Sequence, residues 1–377
     1  RLPLSVMPNA GYPVVTRARV LYQGKPAYFA REMGQIAAAG VRILGGCCGT
    51  TPAHIAALRA ELDALPQQTE AAPAAKLSTG TAPAVEKDDA FLRKLNAGEK
   101  VIAIELDSPR VADLSGYLDG ARRLQAAGAD LLTIADCPIA QARMDSSLVA
   151  CRVHRELGMC ALPHMTCRDR NLNATKALLL GLYAEGVREV LAITGDPIPT
   201  AERDEVKNVY QFNSRKLARF VHMLNENTLR TPFRIYGALN LNARNFDVEL
   251  RRAQEKEACG VSGFLTQPVL SAEALDNLKL AHKTLRGKIL GGIFPVVSHR
   301  NACFLNNEIS GMRVCDEIIH LYEGKDRDAA EALAVTVSTA IAKEIFPYTD
   351  GYYLMTPFRR VALMEHIIQN IQQSHIS

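Results

Sequence analysis

The chain lacks any run close to the ~20 apolar residues that a membrane-crossing helix needs. The segment ILGGIFPVV is too short and is broken by Pro295. Charge of one sign is also scarce. Lys and Arg number 44 against 40 Asp and Glu, a net +4 over 377 residues. The densest basic pairs, Arg251-Arg252 and Arg359-Arg360, read as solvated faces rather than a nucleic-acid footprint. The nine cysteines are an odd count without regular spacing, and no secretory leader is in view. That excludes a disulfide framework and predicts free thiols in a reducing, cytoplasmic setting. No strand-like run is followed by a G-x-G-x-x-G turn, which disfavours a doubly wound dinucleotide-binding sheet. The chain also lacks a starting Met, and RLPLSVMPNAG reads like the middle of a domain.

What is present is an ordinary globular composition, 48% hydrophobic and 22% charged, with ample core. The length predicts two or three domains, or one large barrel with an appendage. Residues 66–89 are rich in Ala, Pro, Thr and charge, and cannot bury enough surface to fold. We therefore read a short N-terminal piece at 1–65, a flexible linker at 66–89 and a long C-terminal piece at 90–377.

The long piece alternates apolar runs with helical patterns. Strands are expected at 101–106, 129–135, 159–166, 189–195, 233–240, 261–267, 288–296 and 351–356. Segments such as LSGYLDGARRLQAAG and VELRRAQEKEACG repeat apolar residues at three-four spacing and end in glycine. Continuous apolar strands alternating with helices imply a parallel sheet covered on its outer face. Eight such units match an α/β fold of the (β/α)8 TIM-barrel type, which typically takes ~250 residues.

In such a barrel, function collects at the C-terminal strand ends. Those ends carry Glu105 and Asp107, Thr133 and Asp136, His164 and Thr166, Thr194-Gly195-Asp196, Asn240 and Asn242, Thr266-Gln267, and Ser298-His299. Taken singly, an Asp or Asn after a strand is more often a helix cap than a site, and a lone His is more often structural. The set carries the argument, because nearly every strand end is polar. A carboxylate such as Glu105, buried at the barrel mouth, should have a raised pKa and serve as a general acid near neutral pH.

The stretches IAIELDSPR, ADLLTIADCPIAQARM, LPHMTCRDRN, VLAITGDP, GALNLNARN, GFLTQPV and GYYLMTPFRR, taken together and in this order, resemble methylenetetrahydrofolate reductase. They most resemble the type fused behind a homocysteine S-methyltransferase. The resemblance implies the same barrel fold and an FAD-containing flavoprotein. NADH or NADPH would reduce the flavin, which would then reduce 5,10-methylenetetrahydrofolate to 5-methyltetrahydrofolate in a ping-pong cycle. It places the general acid at Glu105, an aspartate beside flavin and pterin at Asp196, and a folate-contacting amide at Gln267. Thr133, His164, Gly195, Asp196, Asn240 and Lys256 would contact FAD, with Glu249 and Arg252 as further candidates near its ribose and phosphates. The segment NVYQFNS would touch the flavin through Tyr210 or Phe212. Glu255 stands where some relatives carry a basic residue, which argues against a two-cation pyrophosphate clamp. The expected partners are these small molecules, with neither nucleic acid nor membrane. A homo-oligomer is left open.

Residues 1–65 resemble the end of a zinc-dependent homocysteine S-methyltransferase barrel, through PNAGYP and GGCCGTTPAHI. In that family paired cysteines, here Cys47 and Cys48, give two thiolates to zinc and a third comes from an earlier strand. No cysteine precedes Cys47, so the zinc site is expected to be incomplete. Methyltransferase activity is expected only if the missing part is supplied.

Overall fold

The computed structural model describes residues 3–11, 13–15, 20–22, 24–65, 89–198, 207–309 and 311–374. Two compact units divide the chain, Arg1–Glu86 and Lys87–Ser377. The expected linker lies outside the described residues, apart from Asp89.

The first unit runs β1 (Ser5–Val6), β2 (Pro13–Val15), β3 (Val20–Tyr22), α1 (Pro26–Ala38), β4 (Ile43–Leu44) and α2 (Pro52–Ala64). β1 pairs with β4 in parallel and β2 with β3 antiparallel. Phe29 and Met33 of α1 bury against Leu58 of α2. Pro52 opens α2 at its first turn, where its missing N–H costs no hydrogen bond. The His54 ring accepts from Thr51 N–H at 3.2 Å and its Nε2 lies 2.8 Å from the Gly24 carbonyl.

The second unit begins with α3 (Ala90–Asn96), capped by Asp89, whose side chain accepts from Leu92 N–H. There follow β5 (Val101–Glu105), α4 (Ser115–Ala127), β6 (Leu131–Ile134), α5 (Ser146–Leu157), β7 (Cys160–Thr166) and α6 (Leu172–Ala184). Next come β8 (Glu189–Ile193), α7 (Ser214–Asn227), β9 (Arg234–Leu239), α8 (Phe246–Glu257), β10 (Val261–Pro268) and α9 (Ala272–Thr284). The chain ends with β11 (Lys288–Ile293), α10 (His299–Glu308), α11 (Asp316–Leu321), α12 (Arg327–Ile345), β12 (Gly351–Met355) and α13 (Val361–Ser374).

Strands β5 to β12 pair in sequence order, all in parallel, and β12 closes onto β5. This is the (β/α)8 barrel that the apolar runs predict. One region departs from the simple alternation. The run expected to extend to 296 stops as a strand at Ile293, and three helices rather than one fill the crossover from β11 to β12.

Side chains alternate across each strand. Ile102, Ile104, Leu132 and Ile134 pack outward against the helices. Val101, Ala103, Leu131, Leu162, Leu191 and Tyr353 pack inward around the axis, joined by Phe91 and Leu95 of α3. This parity places the site. Glu105 follows Val101 and Ala103 on the inward register, Thr133 follows Leu131, and His164 follows Leu162. The polar strand ends are therefore the top layer of the barrel interior.

Candidate active site

Glu105 is the last residue of β5 and sits opposite Thr133 of β6 and Met355 of β12. Its Oε2 accepts a short hydrogen bond from the Tyr353 hydroxyl. His164 Nε2 lies 3.7 Å from the same oxygen. Burial first, and the nearby charge of Asp107 second, raise the Glu105 carboxyl to a net of about 7. The Tyr353 hydrogen bond and Arg143 act in the opposite direction. Arg143 is partly spent on Asp107, at 3.1 Å. Burial alone drops His164 to about 3, so its imidazole is neutral near pH 7 and does not hold Glu105 ionised.

Two buried polar atoms face this group without a hydrogen-bond partner, His164 Nε2 and Thr133 Oγ1. Buried polar groups are normally satisfied, so a pair without partners at a barrel mouth points to a ligand.

A second cluster forms around Gln267 at the end of β10. With Thr194, Ser214, Asn240, Glu249 and Lys256 it lines a cavity of about 190 Å³. Lys256 is not an ordinary surface lysine: its side chain is only 12% exposed. Its ammonium donates to the Ala238 carbonyl at 2.6 Å and lies 3.9 Å from Glu249. Burial lowers its pKa against the pull of Glu249. Arg252 stays largely in solvent, 3.7 Å from Glu249. Glu255 is paired with Arg215, which leaves Lys256 as the cation lining the cavity.

The third cluster is the T-G-D-P turn after β8. Gly195 has φ +90°, and a Cβ there would meet the Thr166 Cβ at 2.8 Å. Glycine is therefore required on two counts. Asp196 Oδ2 accepts from Ile139 N–H at 2.8 Å, and the Asp196 carbonyl accepts from the Tyr210 hydroxyl at 3.0 Å. Tyr210 thus reaches the T-G-D-P turn, whereas Phe212 stacks on Phe220 of α7.

The motif LPHMTCRDRN does more than the sequence discloses. Arg168, 2% exposed, reaches the carbonyls of Cys137 and Asp196 and pairs with Asp169. Arg170 bonds Asp136, which also accepts from the Thr166 N–H and hydroxyl. The buried Arg168 and the half-buried Arg170 tie the loops after β6, β7 and β8 into one rim. Asn171 is a helix cap, accepting from Ala174 N–H at the start of α6. Sequence reasoning missed Tyr353, Arg143 and the tying role of Arg168.

In the first unit, Cys47 and Cys48 are exposed, with sulfurs 3.9 Å apart. Two thiolates at ~2.3 Å from a tetrahedral zinc would lie about that far apart. Among the described residues, however, no third Cys, His or carboxylate joins them in a ligand cluster. His54 spends both ring nitrogens on Thr51 and Gly24. The described residues of the first unit do not make a complete zinc site.

Two family models match the chain. The family model described as methylenetetrahydrofolate reductase matches residues 90–372, and that of homocysteine S-methyltransferase matches residues 1–62. The methionine synthase of Mycobacterium tuberculosis is 52% identical over 56 residues, covering 15% of this chain and 5% of that protein. The 5,10-methylenetetrahydrofolate reductase of Buchnera aphidicola is 19% identical over 179 residues, covering 47% of this chain and 58% of that protein. The chain thus spans well under two thirds of the length of either relative.

Among solved structures, an uncharacterized protein from Clostridium thermocellum, described as binding two copies of 5-methyl-5,6,7,8-tetrahydrofolic acid, superposes with a TM-score of 0.53 at 13% identity. The match covers 76% of this chain and 99% of that one, and shows likeness of fold. No helix among the described residues is long and apolar enough to cross a membrane. With its family model running through all eight strands of the barrel, the chain belongs to the methylenetetrahydrofolate reductase family.

Proposed function

We propose that the barrel reduces 5,10-methylenetetrahydrofolate to 5-methyltetrahydrofolate with NAD(P)H through bound FAD. The observation that carries this reading is Glu105, a carboxylic acid lifted to about 7 by burial at the mouth of the barrel. Opening the imidazolidine ring of the folate requires a proton on the departing nitrogen. A carboxyl about half protonated near pH 7 supplies it. Tyr353 fixes the carboxyl through Oε2, and neutral His164 leaves the acid proton available.

The unpartnered atoms of His164 and Thr133, the tight glycine turn at Gly195 and the buried ammonium of Lys256 fit a flavin with a phosphate-bearing tail. Thr133, His164, Gly195, Asp196 and Asn240 would hold the ring portion, and Lys256 would face the phosphates as a point charge. When bound, FAD would take a hydride from NAD(P)H and pass it to the folate in a separate half-reaction. Gln267 can both donate and accept, and would orient the pterin from the end of β10. Asp196 would receive a pterin N–H on the oxygen not used by Ile139.

The test is optical. The purified chain, reconstituted with FAD, should show a flavin spectrum that NADH or NADPH bleaches anaerobically and methylenetetrahydrofolate restores. A protein that cannot be loaded with flavin contradicts the reading.

A further inference from the structure

The floor of the barrel, at the end opposite Glu105, holds a group that no step above uses. Asp89 caps α3, and Cys160, Glu189 and Arg234 open β7, β8 and β9. Strand parity turns these three inward with Leu162, Leu191 and Tyr236 of the axial core. The Cys160 sulfur and one carboxylate oxygen each from Asp89 and Glu189 lie within 4.8 Å of one another.

Arg234 pairs with Asp89 Oδ2 and with Glu189 Oε1. That engages one oxygen of each carboxylate. Asp89 Oδ1 accepts from the Leu92 N–H at 3.1 Å and keeps a lone pair to spare. Tyr236 lies beside Glu189, yet Glu189 Oε2 has no hydrogen-bond partner, although the side chain is 0% exposed. A bare carboxylate oxygen in the interior is costly, and this one belongs to a group with a thiol and a second carboxylate.

Charge points the same way. With its thiol protonated, the group of two carboxylates and one guanidinium is left one negative charge in excess. Loss of the thiol proton to solvent and entry of a dication make it neutral. Magnesium and calcium take oxygen ligands, whereas a thiolate among carboxylates selects a borderline transition ion such as zinc. Ligands ~2.0–2.3 Å from one zinc stand roughly 3.5 Å apart, so side-chain shifts of about 1 Å close the group.

We propose that Asp89, Cys160 and Glu189 form a structural zinc site that pins the cap of α3 to the floor of the barrel. Arg234 stays in place and orients both carboxylates through their other oxygens. Asp89, with its side chain 27% exposed, gives the ion its way in. The N-terminal face of such a barrel serves stability rather than catalysis, which suits an ion of this kind.

The experiment uses the full chain carrying Cys47→Ser and Cys48→Ser, which removes the exposed thiol pair, with zinc and cobalt(II) as probes. One equivalent of zinc should bind, and X-ray absorption at the zinc edge should show one sulfur among oxygens. Cobalt should give a near-ultraviolet sulfur-to-metal band that Cys160→Ser abolishes. Cys303→Ser should keep the band, although that thiol lies 3.8 Å from His299 Nε2. Glu189→Gln should weaken zinc by at least the ~10-fold that loss of an outer-shell partner costs. Zinc should raise the melting midpoint of the parent chain and leave that of Cys160→Ser unmoved. No zinc binding, two sulfurs or an imidazole around the ion, or a cobalt band that survives Cys160→Ser or vanishes in Cys303→Ser, would overturn the site. The zinc edge is read with all three ligands intact, so misfolding of a variant cannot produce that result.

Discussion

At the scale of the residue, the account turns on one proton at Glu105. A general acid works while protonated, so the folate half-reaction should fall as pH rises through about 7. It should drop close to tenfold per pH unit beyond that. Flavin reduction by NAD(P)H uses no such proton and should stay flat over the same range. Tyr353 hydrogen-bonds the ionised form and holds the carboxyl down. In Tyr353→Phe the alkaline limb should therefore move to higher pH, as read by stopped-flow rates of flavin reoxidation. An unmoved limb would remove Tyr353 from the account. Glu105 was legible in the sequence as a carboxylate in an apolar run. Tyr353 was not, because it lies 248 residues away and only barrel closure brings the two together.

At the scale of the element, β5, β6 and β7 deliver the inward polar residues Glu105, Thr133 and His164, and the loops after the strands cap helices or build the rim. Asp145, Asn171, Asn213, Asn245, Ser271, Ser298 and Asp326 all cap helices through their side chains. Asn171→Ala should cost about 1 kcal/mol in a denaturant titration and leave the flavin spectrum unchanged.

Gly195→Ala is a different case. It combines an unfavourable φ with a backbone too close to Thr166, and should cost ~1–3 kcal/mol or more while weakening flavin retention. Gly98→Ala is the control, since Gly98 has φ +77° and nothing within 4 Å of its added Cβ. Equal losses in the two variants would mean that the T-G-D-P turn is no tighter than an open one. The eight strands were readable because buried parallel strands are continuous apolar runs. Helix α12 was not, since Val335, Thr336, Val337 and Thr339 favour strands on local grounds and only packing settles them as helix. The tying role of Arg168 and Arg170 was equally hidden, because a charged run after a strand usually means solvent.

At the scale of the molecule, chemistry is concentrated in the second unit. The motif GGCC is distinctive as sequence, yet its unit supplies two thiolates where zinc needs more ligands. The barrel holds Glu105, Asp196 and Gln267 together with a closed ring of eight strands. A fragment of residues 87–377 should therefore bind FAD and reduce methylenetetrahydrofolate at a rate within a few-fold of the full chain. Loss of flavin binding in a folded fragment, judged by circular dichroism, would give the first unit a part in the site that we do not assign it.

The most direct measurement separates the two half-reactions in Glu105→Gln. Flavin bleaching by NAD(P)H should proceed at close to the wild-type rate. Recolouring by methylenetetrahydrofolate should fall by at least 10²-fold, the low end of what a general acid contributes. If the reduced variant recolours as fast as the wild type, Glu105 is not the acid and the central claim fails.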